Sequence, residues 1–334
     1  MTFLAKLPRS LRSLLRIAAG LLALLLATFV AVANPSCAPA PIPSETVDVR
    51  PERLRRDVEA LCGTKVPRSI NRPEGLAEAE RYLLTTWKAL GLSVRTQEFT
   101  VDGRTFRNHS VLFGSEQAER VVIGAHYDVY SDLPGADDNA SGVAAVLELS
   151  RLLQTRKPTL PHAIELVAWT NEEPPFFATE AMGSVAHAKA LKQNAVPVKL
   201  VVSVEMIGYY SQEPGSQRYP LSAMRLAYPS RGNFLAIVGQ ATPSAWWLVR
   251  RAKAAAEMLS SIPLRSINAP SFVPGIDFSD HRSYWLEGMP AVMVTDTSFY
   301  RNGNYHTEDD TPNTLDYDSM AQAVSAVYGI AVGI

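Results

Sequence analysis

The chain has 334 residues, of which 47% are hydrophobic and 19% are charged, and this composition excludes a disordered chain and a fibrous one. Its formal net charge is −1, but Lys6, Arg9, Arg12 and Arg16 all lie in the first 33 residues, which contain no acid. The rest of the chain has 28 bases against 33 acids, a net charge of −5. A mildly acidic body lacks the basic surface that neutralises a phosphate backbone, so nucleic acid is not an expected partner.

The N-terminus has the pattern of an export signal, because these four bases precede an uncharged apolar run from Ile17 to Ala33. Ala31-Val32-Ala33 matches the small-residue site at which a signal peptide is removed, yet the 17 residues of the run are also just enough to cross a membrane. Residues 1–33 are therefore expected to be either a signal peptide or a retained membrane anchor. In both cases the bases stay inside, so the body is expected to be exported to the periplasm or the extracellular space, or to be anchored with the body outside.

Residues 34–50 are expected to form a linker, because they contain several prolines and no periodic apolar pattern. Residues 51–334 show no internal repeat and fit a single domain. The chain has two cysteines, Cys37 and Cys62, which could pair in an oxidising compartment or stay as two thiols. Two cysteines cannot form a zinc site alone, so any metal must be held by histidines and carboxylates.

Hydrophobic periodicity predicts an α/β fold. The body begins with two helices and two strands, after which strands and helices alternate, and this alternation predicts a mostly parallel mixed sheet with helices on both faces. The predicted helices are Pro51 to Cys62, Glu74 to Leu92, Ser141 to Gln154, Glu180 to Gln193, Ser244 to Ser260 and Tyr317 to Val332. The predicted strands are Ser93 to Thr100, Thr105 to Phe113, Val121 to Ala125, Ala163 to Trp169, Lys199 to Val204 and Ala291 to Thr295.

Polar residues follow three successive predicted strands at the point where each strand ends. His126 and Asp128 follow the first, Glu172 and Glu173 the second, and Glu205 the third. Ligands of open α/β sheets gather beyond the carboxyl ends of the strands. Because imidazole and carboxylate are zinc ligands, and a ligating His usually donates its other N–H to a carboxylate, the pattern favours a metal site over scattered surface charge.

These segments have simpler interpretations when each is taken alone. His126-x-Asp128 is also typical of a buried structural histidine, and a glutamate pair at a turn is usually solvated. In the segment GADDNASG, Asn139 or Ser141 could cap the following helix. A helix cap needs only one short polar residue, yet two adjacent aspartates precede Asn139 in this segment. A carboxylate shared by two cations would explain why an aspartate stands there. Adjacent glutamates point in different directions, so one could bind metal while the other faces the water.

Taken in order, His126-x-Asp128, GADDNASG, Asn171-Glu172-Glu173 and Tyr305-His306-Thr307 resemble the motifs of the aminopeptidase Y and bacterial leucyl aminopeptidase family of di-zinc peptidases. The resemblance spans Val121 to Thr311 and implies a three-layer zinc-exopeptidase-like fold. It implies two zinc ions, with Asp137 as the bridge between them and a cis peptide between Asp137 and Asp138. Glu172 is implied to be the general base and Asp128 to orient a ligand. The implied ligands are His126, Asp137, Glu173, Glu205 and His306.

One ligand departs from the family pattern, since many members have Asp where this chain has Glu205. The longer side chain still offers two oxygens, so metal binding is expected, but occupancy of the second metal position and substrate preference are less well defined. Ser279-Asp280-His281 also resembles a family segment and is expected to support the ligands or contact substrate, with a structural histidine as the alternative. His109, His162 and His187 have no such context.

The predicted activity is that of a zinc-dependent aminopeptidase, which removes N-terminal residues from peptides through a metal-activated water with Glu172 as base. The carboxylate-rich ligand set favours a substrate's free ammonium group, unless Arg282 or Arg301 points inward and binds a carboxylate. A glutaminyl cyclase or carboxypeptidase on the same fold is the alternative, and a non-catalytic binding module is a third. Residues that flank the ligand segments are candidates for a specificity pocket, namely Phe176, Phe177, Met182, Tyr209 and Tyr210.

Overall fold

The computed structural model describes residues 8–33 and 47–334. Most of the predicted linker lies outside these residues, as does Cys37 and therefore its pairing with Cys62. The described chain contains one eight-stranded sheet with helices on both faces, which confirms the predicted α/β class.

The sheet is parallel at its centre and antiparallel towards both edges. Its strands are β1 Val94–Val101, β2 Arg104–Phe113, β3 Arg120–His126, β4 Ala163–Trp169, β5 Val198–Glu205, β6 Leu235–Gln240, β7 Leu264–Ala269 and β8 Ala291–Thr295. They are arranged in the order β1-β2-β4-β3-β5-β8-β6-β7. Strands β4, β3, β5 and β8 run parallel. Strand β2 is antiparallel to both β1 and β4, and the parallel pair β6 and β7 is antiparallel to β8.

The helices form the two outer layers. They are α1 Arg9–Ala33, α2 Pro51–Cys62, α3 Pro73–Ala89, α4 Gly142–Arg156, α5 Gly183–Gln193, α6 Pro243–Glu257, α7 His281–Leu286 and α8 Tyr317–Gly333. Helices α2, α3, α4, α6 and α8 pack together over one face of the sheet, whereas α5 and α7 pack on the other. All the helices and strands predicted for the body are present, and β6, β7 and α7 were not predicted.

Proline and short polar side chains define where several helices begin. Pro51, Pro73 and Pro243 each stand in a first turn, where the missing backbone N–H costs nothing. Thr242 accepts a hydrogen bond of 3.2 Å from the amide of Ala245 and so caps α6. Such local signals explain why the sequence predicts these helix starts well.

The two central strands β3 and β4 are buried along their whole length. Alternate residues of β3 belong to different apolar cores: Val121 and Ile123 pack under the larger helical layer, whereas Val122 packs with Trp169 and Tyr284 under the smaller one. Burial on both faces is typical of parallel strands covered by two helical layers. This packing fixes the carboxyl ends of the central strands side by side.

Helix α1 stands apart from the three layers. Its segment Ser13–Ala33 is long and apolar enough to cross a membrane, and it is almost entirely exposed. It contacts the body only at its last turn within the described residues: Ser266 Oγ of β7 donates to the carbonyl of Ala33 at 3.0 Å, and Trp246 Nε1 of α6 donates to the carbonyl of Val30 at 3.1 Å. The helix therefore ends on the edge of the sheet formed by β7.

Candidate metal centre

The carboxyl ends of the central strands bring ligand-type side chains together at one edge of the sheet. His126 is the last residue of β3 and Glu205 the last of β5, while Glu173 follows β4. Asp138 lies in the turn before α4, and His306 lies in the loop between β8 and α8. The first four of these residues are buried, and His306 is partly exposed.

Two groups of three side chains share Asp138. In the first group, His126 Nε2 lies 3.4 Å from both Asp138 Oδ1 and Glu205 Oε2. In the second group, His306 Nε2 lies 3.1 Å from Asp138 Oδ2 and 3.3 Å from Glu173 Oε2. Around a tetrahedral zinc ion with bonds of ~2.0–2.2 Å, neighbouring ligand atoms are about 3.3–3.6 Å apart. The two oxygens of one carboxylate thus face two positions suited to a metal ion.

Asp137, the residue expected to bridge, does not belong to either group. Its Oδ1 accepts a hydrogen bond of 2.9 Å from the amide of Gly208, and its Oδ2 accepts one of 2.8 Å from Asn302 Nδ2. Because the side chains of adjacent residues point in different directions, only one of the two aspartates can face the cluster. The two hydrogen bonds hold the Asp137 carboxylate away from the cluster. The structure thus brings Asp138, and not the expected Asp137, between the two histidines. The cis peptide likewise lies between Asp138 and Asn139, not between Asp137 and Asp138.

Two buried charged residues hold the turn that carries Asp138. Asp310 accepts hydrogen bonds from the amides of Asp137 and Asp138, at 2.9 and 3.1 Å. The Arg68 guanidinium donates to the carbonyl of Gly135 at 2.5 Å. Gly135 has a φ of 59°, and a Cβ there would lie 2.2 Å from the carbonyl oxygen of Asp138. Asp310 and Arg68 were not predicted from the sequence, because they are distant from the turn along the chain and lie outside every quoted motif.

The two residues considered as helix caps connect this turn to the end of β5. Asn139 Oδ1 accepts from the amides of Gly142 and Met206, both at 3.1 Å, so it acts as a cap and also links two segments. Ser141 Oγ donates to the carbonyl of Asp137 at 2.7 Å. The cap interpretation and the metal interpretation of this segment are therefore compatible.

Asp128 lies fully buried next to the cluster. Its Oδ1 is 3.5 Å from His126 Nδ1 and also accepts from the amide of Glu172 at 3.2 Å. Its Oδ2 accepts from the amide of Glu173 at 3.1 Å. One carboxylate thus contacts the His126 ring and fixes the backbone that carries both glutamates.

Glu172 lies beside the two groups that share Asp138. Its Oε2 is 3.9 Å from His126 Nε2, farther than the Asp138 and Glu205 oxygens, although Glu172 can also form a three-residue group with His126 and Glu173. Burial raises its pKa well above the usual value; His126 lowers that pKa, and Glu205 raises it. A buried carboxylate with a raised pKa is suited to proton transfer.

Glu205, the departure from the family pattern, is held by neutral hydrogen-bond donors. Ser279 Oγ donates to Glu205 Oε2 at 2.7 Å, and Ser203 Oγ lies 2.8 Å from Ser279 Oγ. Ser279 thus supports a ligand-type residue. In the same segment, His281 Nε2 lies 2.8 Å from the carbonyl of Ile276, which makes His281 a structural histidine.

The ring of His306 is stacked between two tyrosines. Its centroid lies 4.1 Å from that of Tyr130 and 3.8 Å from that of Tyr305, with interplanar angles of 7° and 15°. These contacts restrict rotation of the imidazole and direct its Nε2 towards Asp138. Tyr305 belongs to a quoted motif, whereas Tyr130 was not recognised from the sequence.

Four carboxylates surround two imidazoles at this centre, so negative charge is in excess. Burial and the charge of Asp138 raise the pKa of Glu173 to about 8. Burial lowers the pKa of His306, but its contacts with Asp138 and Glu173 raise it to about 9. Neither His126 Nε2 nor His306 Nε2 makes a hydrogen bond of normal geometry with the described chain, although both atoms are buried. Buried imidazole nitrogens that face several carboxylate oxygens without forming a hydrogen bond fit divalent cations of the zinc type.

A pocket of about 230 Å³ adjoins the centre, and Asp138, Glu172 and His306 form part of its wall. Of the five residues expected to line a specificity pocket, Phe177 does so, whereas Phe176 and Tyr210 pack against the main core. Aromatic side chains from loops form part of the remaining wall, and among them only Tyr305 belongs to a quoted motif; they include Tyr219, Tyr228, Phe278, Phe299, Tyr300 and Tyr305.

Two arginines also line the pocket, but neither is one of the two considered from the sequence. Arg218 and Arg265 are the arginines in its wall. Arg301 is buried and donates to the carbonyl of Phe234 at 2.8 Å, and Arg282 pairs with Asp277. Among the described residues, Arg218 and Arg265 are therefore the pocket arginines that could bind a carboxylate group of a substrate.

Comparison with known proteins assigns this chain to a family. Residues 109–331, more than half of the chain, match the model of peptidase family M28. The uncharacterized protein YfbL of Escherichia coli (strain K12) is 42% identical over 294 residues, which are 86% of this chain and 89% of that protein. A probable leucine aminopeptidase of Arthroderma otae is 26% identical over 296 residues, which are 83% of this chain and 70% of that protein.

Solved structures share the fold. The Legionella pneumophila LapA aminopeptidase superposes with a TM-score of 0.67 at 20% identity, covering 85% of this chain and 71% of that one. The glutaminyl cyclase of Fimbriiglobus ruber superposes with a TM-score of 0.63 at 20% identity, covering 88% of this chain and 99% of that one. The fold alone thus does not separate the two activities, whereas the family match does favour peptide hydrolysis. The chain belongs to peptidase family M28 and is a peptide hydrolase with the predicted zinc-exopeptidase fold.

Proposed function

We propose that the chain is a zinc aminopeptidase with two metal ions that share Asp138. His126 and Glu205 would complete one coordination shell, and Glu173 and His306 the other. The observation that carries this proposal is the position of Asp138, whose Oδ1 lies 3.4 Å from one histidine and whose Oδ2 lies 3.1 Å from the other. A carboxylate placed between two imidazoles is suited to hold a pair of zinc ions.

Glu172 is the base in this proposal. Zinc held by these residues would make a water molecule more acidic and would polarise the carbonyl of the scissile bond. Glu172 accepts the proton of that water, since its carboxylate lines the pocket and lies next to the cluster. The same carboxyl group then donates the proton to the leaving amine. Asp128 holds the amide of Glu172 and so keeps the base in position during both transfers.

The charge around the centre favours a substrate with a free amino terminus. Asp138, Glu172, Glu173 and Glu205 all line the pocket, so an α-ammonium group finds a carboxylate partner near the scissile bond. The aromatic wall beyond them favours an apolar N-terminal side chain. Peptides with a free N-terminus are therefore the proposed substrates.

A carboxypeptidase is the second candidate, because Arg218 and Arg265 line the same pocket. An arginine there could bind a C-terminal carboxylate and orient the peptide in the opposite direction. Glutaminyl cyclase activity is the third, and is suggested by the shared fold. The aminopeptidase proposal is preferred because the carboxylates, unlike the arginines, adjoin the proposed metal positions.

The N-terminal helix supports an exported enzyme. Its apolar segment Ser13–Ala33 follows basic residues, which places the body outside the membrane by the positive-inside rule. We propose that the catalytic domain acts in the periplasm or the extracellular space, either released or anchored.

A substrate panel tests the activity. Leucine p-nitroanilide, its N-acetyl form, a peptide with a C-terminal leucine and a blocked N-terminus, and a peptide that begins with Gln are each incubated with the protein, with and without a chelator. The proposal predicts rapid hydrolysis of the free anilide, and a loss on acetylation that corresponds to ~1.5–3 kcal/mol if one charged hydrogen bond disappears. Chelation should abolish hydrolysis and added zinc should restore it.

The other outcomes identify the alternatives. Equal rates on the free and acetylated anilides would exclude recognition of the amino group. Release of the C-terminal leucine from the blocked peptide would identify a carboxypeptidase. Formation of pyroglutamate without hydrolysis would identify a cyclase.

A further inference from the structure

The exposed side of α6 has an unusual composition for a soluble surface. Its solvent-facing positions follow helical spacing, and the larger side chains among them are Trp247, Arg250, Arg251 and Met258, the last directly after the helix. Trp247 is 60% exposed and Met258 is 54% exposed. The exposed positions of this stripe carry no acid, although Glu257 on the same face is partly exposed and the body of the chain is acidic overall. Tryptophan together with arginine is typical of helices that lie at a membrane surface.

The same end of α6 touches the helix that is able to cross a membrane. Trp246 Nε1 donates to the carbonyl of Val30, and the Trp246 and Trp247 rings lie 4.7 Å apart edge to face. The Arg250 guanidinium lies 5.5 Å from the centre of the Trp246 ring. The stripe therefore begins where α1 meets the body.

The length of α1 determines how close the body lies to the membrane. The apolar segment Ser13–Ala33 has 21 residues, and at ~1.5 Å per residue it spans about 31 Å, close to the ~30 Å of a hydrocarbon core. Its last residue, Ala33, is already in contact with β7. The apolar segment has no additional residues that could separate the body from the membrane. The outer surface of the membrane therefore lies at the level where Ala33 contacts β7.

We propose that the exposed stripe of α6 rests on the lipid headgroups of the membrane that α1 crosses. Trp247 lies at the boundary between headgroups and hydrocarbon, and Arg250 and Arg251 contact anionic headgroups. This proposal concerns the orientation of the domain and does not depend on the reaction at the metal centre. It assigns a lipid bilayer as the partner of this surface, and it requires that α1 is retained.

Ser266 connects the end of α1 with the pocket. Ser266 both lines the pocket and donates to the carbonyl of Ala33. The pocket wall formed by β7 thus lies next to the end of α1. The proposal therefore places this wall of the pocket near the membrane surface.

Quenching of a fluorophore by lipid tests the proposal on the full chain. In a form with Cys37 and Cys62 replaced by serine, Ser244→Cys places a label on the exposed first turn of α6, and Thr100→Cys places the same label on β1, at the opposite edge of the sheet. Both proteins are reconstituted into vesicles of phosphatidylcholine and phosphatidylglycerol that contain lipid with a spin-labelled headgroup. We expect strong quenching of the label at 244 and none above background at 100.

Two further variants separate the contributions to docking. Arg250→Glu combined with Arg251→Glu should reduce quenching at 244 in vesicles with phosphatidylglycerol, and Trp247→Ala should reduce it in vesicles of phosphatidylcholine alone. Circular dichroism and leucine p-nitroanilide hydrolysis of each variant report whether the fold is kept. Quenching at 244 no greater than at 100 in a protein anchored by α1, or removal of α1 from the mature protein in the native membrane, would overturn the proposal.

Discussion

Ser279 Oγ donates a hydrogen bond of 2.7 Å to Glu205 Oε2. Glu205 stands where the resemblance leads one to expect the shorter aspartate, and the additional methylene needs a contact that limits its freedom. A buried serine whose hydroxyl is itself in contact with Ser203 provides it. We infer that Ser279 and Glu205 function as a pair.

Ser279→Ala should weaken zinc binding at the position that Glu205 completes. Loss of a group that orients a metal ligand typically costs about 10–100-fold in metal affinity or activity. The measurement is zinc affinity by competition with a chelator. Ser325→Ala is the matched control, because Ser325 is also buried but bonds only to the Ala321 carbonyl of its own helix. Equal zinc affinity in both variants would show that Ser279 does not support a ligand.

Asp138→Asn and Asp137→Asn should behave differently although the residues are adjacent. Asp138→Asn removes the shared carboxylate, so bound zinc should fall from two ions per chain to at most one, with activity lost. Asp137→Asn keeps an oxygen for the amide of Gly208 and should retain both ions. Zinc is measured by elemental analysis of folded protein. Loss of zinc in Asp137→Asn with retention in Asp138→Asn would return the bridge to Asp137.

The metal-free protein should lose stability as the pH rises. The pKa of Glu173 in the folded state is raised from 4.5 to about 8 by burial and Asp138. The pKa of His306, lowered by burial and raised by contacts with Asp138 and Glu173, rises from 6.5 to about 9. A group with a raised pKa stabilises the fold below its unfolded value, and this contribution is lost as the pH passes through the folded value.

The two windows therefore run from 4.5 to about 8 and from 6.5 to about 9, and both slopes have the same sign. The pKa of Asp138 is lowered in the folded state. A lowered pKa makes stability increase with pH, but for Asp138 this increase is confined to pH values below its ordinary pKa of 3.8. Thermal unfolding of chelated protein between about pH 5 and pH 9 should show a falling melting temperature. Zinc-loaded protein should show a much smaller fall, since the cations stabilise the ionised carboxylates. A melting temperature of the chelated protein that rises over this range would contradict the charge excess described here.

The sequence predicted the central strands well because each is short, apolar and bounded by polar residues, as from Ala163 to Trp169. It also predicted that ligand-type residues would follow them. It could not decide between Asp137 and Asp138, because their order along the chain does not reveal which side chain faces the cluster. That choice depends on Asp310 and Gly208, which contact the turn only in the folded chain.

The pocket was the part least accessible to prediction. Its aromatic wall is assembled from loops around Tyr219, Phe278 and Phe299, which are far apart in sequence and show no motif. Tyr130 and Arg68 were missed for the same reason, since stacking on a histidine and binding to loop carbonyls leave no periodic signal. Edge strand β7 alternates between buried and partly exposed residues, and this weak pattern was not recognised.

Glu172→Gln tests the central claim most directly. The amide keeps the shape and the backbone bond to Asp128 but cannot accept a proton, so zinc content and melting temperature should stay near those of the parent protein. Glu308→Gln, an exposed position near the site, serves as the control for the loss of one negative charge.

The measurement is the rate of leucine p-nitroanilide hydrolysis per zinc-loaded chain. A general base contributes ~10²–10⁴-fold, so Glu172→Gln should lower this rate by at least about a hundredfold while Glu308→Gln leaves it nearly unchanged. A Glu172→Gln protein that keeps more than about a tenth of the parent rate would show that Glu172 is not the base and would contradict the proposed mechanism.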